Sequence, residues 1–178
     1  MSTTNNLVFK GLLIIAWLIF VALSIEAGGL LVNFFFSLYN PAMIANLYQK
    51  LDLTEMYSRS KWVFYSMYSF ILFIAVLKAY LFYIVINLMH KLDLSKPFNS
   101  FVSSQISKLS YLTLSIGFIS YAASQLAKNL MHHGFNTNIL SKFWADSGAY
   151  IIMGAIIYII ATIFKKGIEL QNENDLTV

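Results

Sequence analysis

The sequence predicts an all-α membrane protein built as a four-transmembrane-helix bundle, and three observations carry this. Four blocks, about 11–38, 62–89, 106–127 and 147–164, are long apolar runs, and about 20 apolar residues suffice to cross a bilayer as a helix. Hydrophobic residues make up 58% of the chain and charged residues 11%, against roughly 25% charged in soluble domains. Aromatic residues reach 16%, as suits Trp and Tyr belts at two interfaces. The net charge of +4 is modest and spread, so it reads as lysines beside anionic headgroups and not as a nucleic-acid footprint. The absence of cysteine excludes disulfides, thiolate metal sites and thiol catalysis.

The first block, Gly11 to Leu38, holds one ionisable residue, Glu26, followed by Ala27-Gly28-Gly29. Ile25-Glu26-Ala27 loosely imitates a leader cleavage site. The apolar run resumes at Leu30 and outlasts a leader's core, so an uncleaved span is expected. Beyond the glycine pair the helix either continues or breaks, and Asn40-Pro41 stops it, because the residue before proline disfavours helical backbone. In Pro41 to Lys61, the residues Met43, Ile44, Leu47, Tyr48, Leu51 and Leu53 give partial helical periodicity. They make either a short interfacial helix on the membrane surface or a loop helix packed on the bundle. The second block opens on Trp62, Phe64, Tyr65 and Tyr68, read as an aromatic belt, and holds Lys78 in mid-run. After the turn His90 to Lys96, Ser95 is a candidate cap and Pro97 suits a first helical turn.

The third block is built differently. Ser107, Ser110, Thr113, Gly117, Ser120, Ser124 and Ala127 recur every three or four residues. In lipid no hydrophobic force draws helices together, so small residues and hydroxyl groups mark a packing face; a hydroxyl-lined path is the functional alternative. Asp146 or Ser147 caps the fourth block, where Gly148, Ala155 and Thr162 form a weaker seam seven residues apart. Residues 165–178 are a polar tail. Four spans place both termini on one face, with six cations (Lys10, Lys91, Lys96, Lys108, Lys165, Lys166) against five on the other. Lys10 and Lys165-Lys166 abut span ends, which favours cytoplasmic termini.

Glu26 and Lys78 are the two charges deep inside the predicted spans, where such a residue costs about 2.5–3.5 kcal/mol at the helix centre. Counted from opposite ends of adjacent helices, each lies about 18 Å in. The expectations are an intramembrane Glu26–Lys78 ion pair or, equally, two side chains reaching separate niches. His90, His132 and His133 lack carboxylate partners at ligand spacing, which argues against a metal site. There is no nucleophile elbow, phosphate loop or paired carboxylate motif, so neither catalysis nor a cofactor is expected.

Lys96-Pro97-Phe98 and the stretch Phe164-Lys165-Lys166-Gly167-Ile168-Glu169-Leu170, with its ending Glu173-Asn174-Asp175-Leu176-Thr177-Val178, resemble a domain-of-unknown-function family of small four-span bacterial membrane proteins, YoaS-like. The resemblance implies a bacterial inner-membrane protein. It also implies a cytoplasmic protein partner, a small helix-turn-helix regulator, and assigns no role to Glu26 or Lys78. The functional expectation is a non-enzymatic regulatory or interaction protein with the lipid bilayer and one protein as partners and no direct nucleic acid. Its partner-binding tail would present Leu170, Glu173, Asp175, Leu176 and Val178, apolar residues among acids that suit docking into a groove. The alternative is a small transporter or channel-like subunit using Glu26 and Lys78.

Overall fold

The computed structural model describes residues 3–92 and 98–175. Four long helices dominate it: α1 (Thr3–Tyr39), α3 (Lys61–Lys91), α4 (Ser100–His132) and α5 (Ser147–Asp175), with a short α2 (Thr54–Arg59). Three-residue-per-turn helical segments occupy Pro41–Asn46, Tyr48–Lys50 and Asn138–Phe143. Stretches Leu7–Tyr39, Lys61–Lys91 and Asn138–Glu173 are long and apolar enough to cross a membrane. The equally long α4, rich in serine, is not among them.

α1 runs unbroken through Gly28-Gly29 to Tyr39, where Asn40 turns extended and its side chain accepts from the Ala42 N–H. Gly29 serves close approach: a Cβ there would stand 2.6 Å from the Tyr48 ring. Ser60 caps α3, accepting from the Val63 N–H. α4 starts later than the sequence suggests. Asn99 in extended backbone accepts from the Val102 N–H at 2.9 Å, so Asn99 is the cap of α4. Ser95, Lys96 and Pro97 themselves lie outside the described residues.

The helices form a row, not a closed bundle. α1 packs on α3, α3 on α4 and, most extensively, α4 on α5, with no comparable α1–α5 face among the described residues. The connections at one end fold into a cap on this row. Ile44, Leu47, Leu51, Leu53 and Met56 are buried there, together with Leu140, Phe143 and Trp144 from the second connection. Of the two expectations for the first loop, the structure shows short helical segments packed on the bundle. Phe64 and Tyr68 are fully buried and stack among Phe34, Tyr57 and Tyr65, so of the expected aromatic belt only Trp62, 86% exposed, faces outward. The belt residues were drawn into the cap core because the first loop folds back over them. The Tyr68 hydroxyl donates to the Leu30 carbonyl at 2.9 Å, tying α3 to α1. Arg59 donates to the carbonyls of His133 and Gly134 and lies over the Phe135 ring, fastening the end of α4 to α2.

At the α4–α5 crossing, Ser110, Thr113, Gly117 and Ser120 are buried as the stripe predicts, and Ser107 and Ser124 are half-buried. A Cβ on Gly117 would stand 2.8 Å from the Ile151 nitrogen, and one on Gly154 2.8 Å from the Leu114 nitrogen. Ser110 donates to the Gly154 carbonyl at 3.1 Å. The facing seam is shifted by one residue from the expected one: Gly154 and Ala161 are buried with Ser147 half-buried, while Gly148, Ala155 and Thr162 face outward. One residue turns the face by about 100°, and both registers consist of small residues.

Candidate functional site

Two neighbouring cavities meet at Lys78, where α3 passes between α1 and α5. The smaller, about 110 Å³, is lined by Leu23 and Glu26 of α1, Ile74, Ala75 and Lys78 of α3, and Lys142 and Phe143 of the cap. The helices bring Glu26 and Lys78 into one cavity, both half-buried. They do not close to ion-pair distance, unlike Lys166 and Glu169, which pair at 2.6 Å. Lys142, which the sequence reading missed, adds a second cation, and its ammonium also donates to the Gln49 side chain at 2.9 Å.

The larger cavity, about 470 Å³, is a groove over α4 between α3 and α5. Leu109 and Thr113 floor it, and Lys78, Leu81, Phe82 and Val85 face Asp146, Ala149, Tyr150, Met153 and Ile157 across it. The Lys78 ammonium lies 5.4 Å from the centroid of the Tyr150 ring, within the range of a cation–π contact. Asp146 immediately precedes α5, so Lys78 shares its level with the start of that helix and with the cap residue Lys142. Lys78 stands near the middle of α3 and shares the smaller cavity with Glu26 of α1. In the sequence Asp146 is legible as a candidate cap of the fourth block, whereas which helix Asp146 and Lys142 meet is not.

A third hollow, about 510 Å³, lies on the cap surface among Gln49, Lys50, Asp52, Glu55, Asn136 and Lys142. Gln49 and Lys50 both have φ of 58°, the left-handed region, in the tight turn closed by Leu47 and Leu51. Asp52 accepts from the Thr54 N–H at 2.9 Å, and this hydrogen bonding holds its carboxyl below the usual value. The His133 ring meets the Asn129 carbonyl at 2.8 Å.

At the opposite end of the row, the two stretches that carry the family resemblance touch. The Phe98 ring packs on Phe164 with centroids 5.1 Å apart, and a Cβ on Gly167 would stand 2.9 Å from that ring. Residues 165–175 do not form an extended tail: α5 continues through them to Asp175, with Leu170 exposed. Leu176 and Val178 lie outside the described residues, as does the side chain of Asp175.

Apolar helices of spanning length, arranged in a row beneath a folded cap, define an α-helical protein of membrane type. The chain belongs to the family Protein of unknown function (DUF2975), whose model matches residues 46–178. This bears out membership of a domain-of-unknown-function family; the YoaS-like label finds no support in it. Lys78, Asp146 and the Phe98–Gly167 contact fall inside the match and Glu26 outside it. No curated protein and no solved structure matches the chain.

Proposed function

We propose that this is a four-span bacterial inner-membrane protein, with both termini cytoplasmic, that acts without catalysis by contacting another protein. α4 is the fourth span in this reading. Four of its hydroxyls are bonded within the helix row, Ser107 to the Ser103 carbonyl, Thr113 to Leu109, Ser115 to Tyr111 and Ser110 to Gly154. Each hydroxyl bonded in this way lowers the cost of placing such a helix in lipid.

One observation carries the protein-contact reading. α5 runs on past its apolar stretch as a helix, fixed by Phe98 against Gly167 and presenting Leu170, 61% exposed, beside the Lys166–Glu169 pair. An ordered helix with an exposed apolar residue suits docking into a groove of a soluble partner, and the family resemblance nominates a small helix-turn-helix regulator. Truncation after Lys166 should leave membrane insertion intact and abolish capture of that regulator from native membranes. Unchanged capture rejects the proposal.

A second reading, a small transporter or channel-like subunit, is favoured by the cavity that Glu26 and Lys78 share. Reconstituted protein should then pass ions or protons across sealed vesicles, with E26Q and K78M each abolishing the flux. The pair itself is tested by folded yield of E26Q, K78M and the double variant: coupled losses support it and additive ones remove it.

A further inference from the structure

We propose that the hollow on the cap surface binds a free peptide of two or three residues through both of its charged ends. This site goes beyond the protein-contact reading and lies at the other end of the row from Leu170. Its walls are the two connections, with Gln49, Lys50, Asp52 and Glu55 on the first and Asn136 and Lys142 on the second. Its volume of about 510 Å³ falls in the range of about 300–1,000 Å³ of small-molecule sites.

The walls are anchored from below. Leu47 and Leu51 are buried and close the first turn, the Leu47 N–H donating to the Leu51 carbonyl at 3.0 Å. Leu140 and Phe143 bury the second wall in the same core. At the tip of the turn Gln49 and Lys50 both hold φ at 58°, and strain of this kind concentrates at ligand clamps and switch regions. Glycine adopts this backbone without strain, yet the chain keeps two long polar side chains that line the hollow. The Gln49 side chain accepts from the Lys142 ammonium at 2.9 Å. That bond fixes the cation at the hollow and leaves two of its N–H groups to donate.

The charges select the ligand. Two ammonium groups, Lys50 and Lys142, share the hollow with two carboxylates, Asp52 and Glu55. None of these closes to ion-pair distance with another, unlike Lys166 with Glu169. A purely anionic ligand gains the lysines and meets the carboxylates, and a cationic one does the reverse. An uncharged ligand desolvates all four without offering an opposite charge. A free peptide satisfies both signs, its carboxylate accepting from Lys142 and its ammonium donating to Glu55. The Asn136 side-chain oxygen accepts from the Asn138 N–H at 3.4 Å, so its NH₂ group is left to donate to a peptide carbonyl. A single amino acid has the same charges but no peptide carbonyl. It also spans only about 3.5 Å, where three extended residues reach about 10 Å.

The test is isothermal titration calorimetry of the full-length protein in detergent with trialanine, N-acetyl-trialanine, trialanine amide and free alanine. Trialanine should bind saturably and about fivefold more tightly than each of the others, the scale of one partly exposed charge contact. K142M should weaken trialanine about fivefold and leave the amide unchanged, because the amide has no carboxylate to lose. E55Q should weaken trialanine likewise and leave the N-acetyl form unchanged. Absence of saturable trialanine binding, or equal binding of the four probes, overturns the proposal and needs no variant to fold. A K142M protein that binds every probe more weakly by the same factor also overturns it. The protein truncated after Lys166 should bind trialanine as the full chain does, so failure of the protein-contact reading is a separate result.

Discussion

The two ends of the helix row are held together by different physics. At the cap end, Phe64, Met67, Tyr68 and Ile71 of α3 are buried with Leu30, Ile44, Leu53 and Leu140 in a dense core of large side chains, as in a water-soluble domain. At the α4–α5 crossing the contact residues are Ser110, Gly117, Gly154 and Ala161, and the large residues, such as Phe118, Ile156 and Ile159, point outward. Burial of large apolar groups drives association only where water is the alternative. Where lipid is the alternative, close backbone approach and hydroxyl bonds take over. The change falls near Lys78, Lys142 and Asp146, where the charges gather.

Substitutions of matched size separate the two regimes. Phe64→Ala should be the most damaging, losing about 3–5 kcal/mol in detergent thermal or denaturant unfolding. Phe118→Ala, at a side chain 58% exposed, should change stability by about 0.5 kcal/mol or less. Comparable losses at the two would erase the distinction.

Next in size are the glycines. Gly154→Ala puts a methyl within 3 Å of the Leu114 backbone and should cost about 1–3 kcal/mol by forcing α4 and α5 apart. Gly148→Ala, with nothing within 4 Å, should be neutral or stabilising by up to about 1 kcal/mol, because the helix loses less backbone entropy on folding. Circular-dichroism melts of the two proteins decide the sign.

Smaller still are the hydroxyls. Ser110→Ala removes a bond to the Gly154 carbonyl and should lose about 0.6 kcal/mol. Ser120, buried at 1% exposure with no hydrogen-bond partner for its oxygen, should tolerate alanine without loss, since the unpaired hydroxyl already carries its desolvation cost.

The smallest effect is pH-dependent. The Asp52 carboxyl is held down by its hydrogen bonds to Thr54, so its contribution is present above the unfolded carboxylate pKa of about 3.9. It is lost as pH falls through the lower folded value. Thermal unfolding between pH 5 and 3 should therefore fall slightly more steeply for the unaltered protein than for D52N.

Much of the fold was legible because it depends on counts along one chain. Long apolar runs mark α1, α3 and α5, and the three-and-four spacing from Ser110 to Ser120 marks a packing face of α4. What was illegible depends on other segments. Gly148–Ala155–Thr162 and Ser147–Gly154–Ala161 are equally small, so only α4 reveals which one faces inward. Phe64 and Tyr68 resemble a belt until the first loop covers them. α4 opens at Asn99 because its side chain reaches the Val102 N–H, a contact that composition does not weigh. Lys78 was visible as a costly charge, whereas its neighbours Tyr150, Asp146 and Lys142 lie more than sixty residues away. The continuation of α5 through the polar tail was hidden for the same reason, since its contact with Phe98 is non-local.

The central claim, four crossings with the cap on one face and the end of α5 on the other, is tested most directly by labelling single cysteines, which the cysteine-free chain permits. Asn136→Cys in the cap and Gln171→Cys near the end of α5 both place the thiol at an exposed position. A membrane-impermeant maleimide applied to intact cells stripped of their outer envelope should label the first at once and the second only after permeabilisation. Labelling of both thiols from the same side contradicts the account.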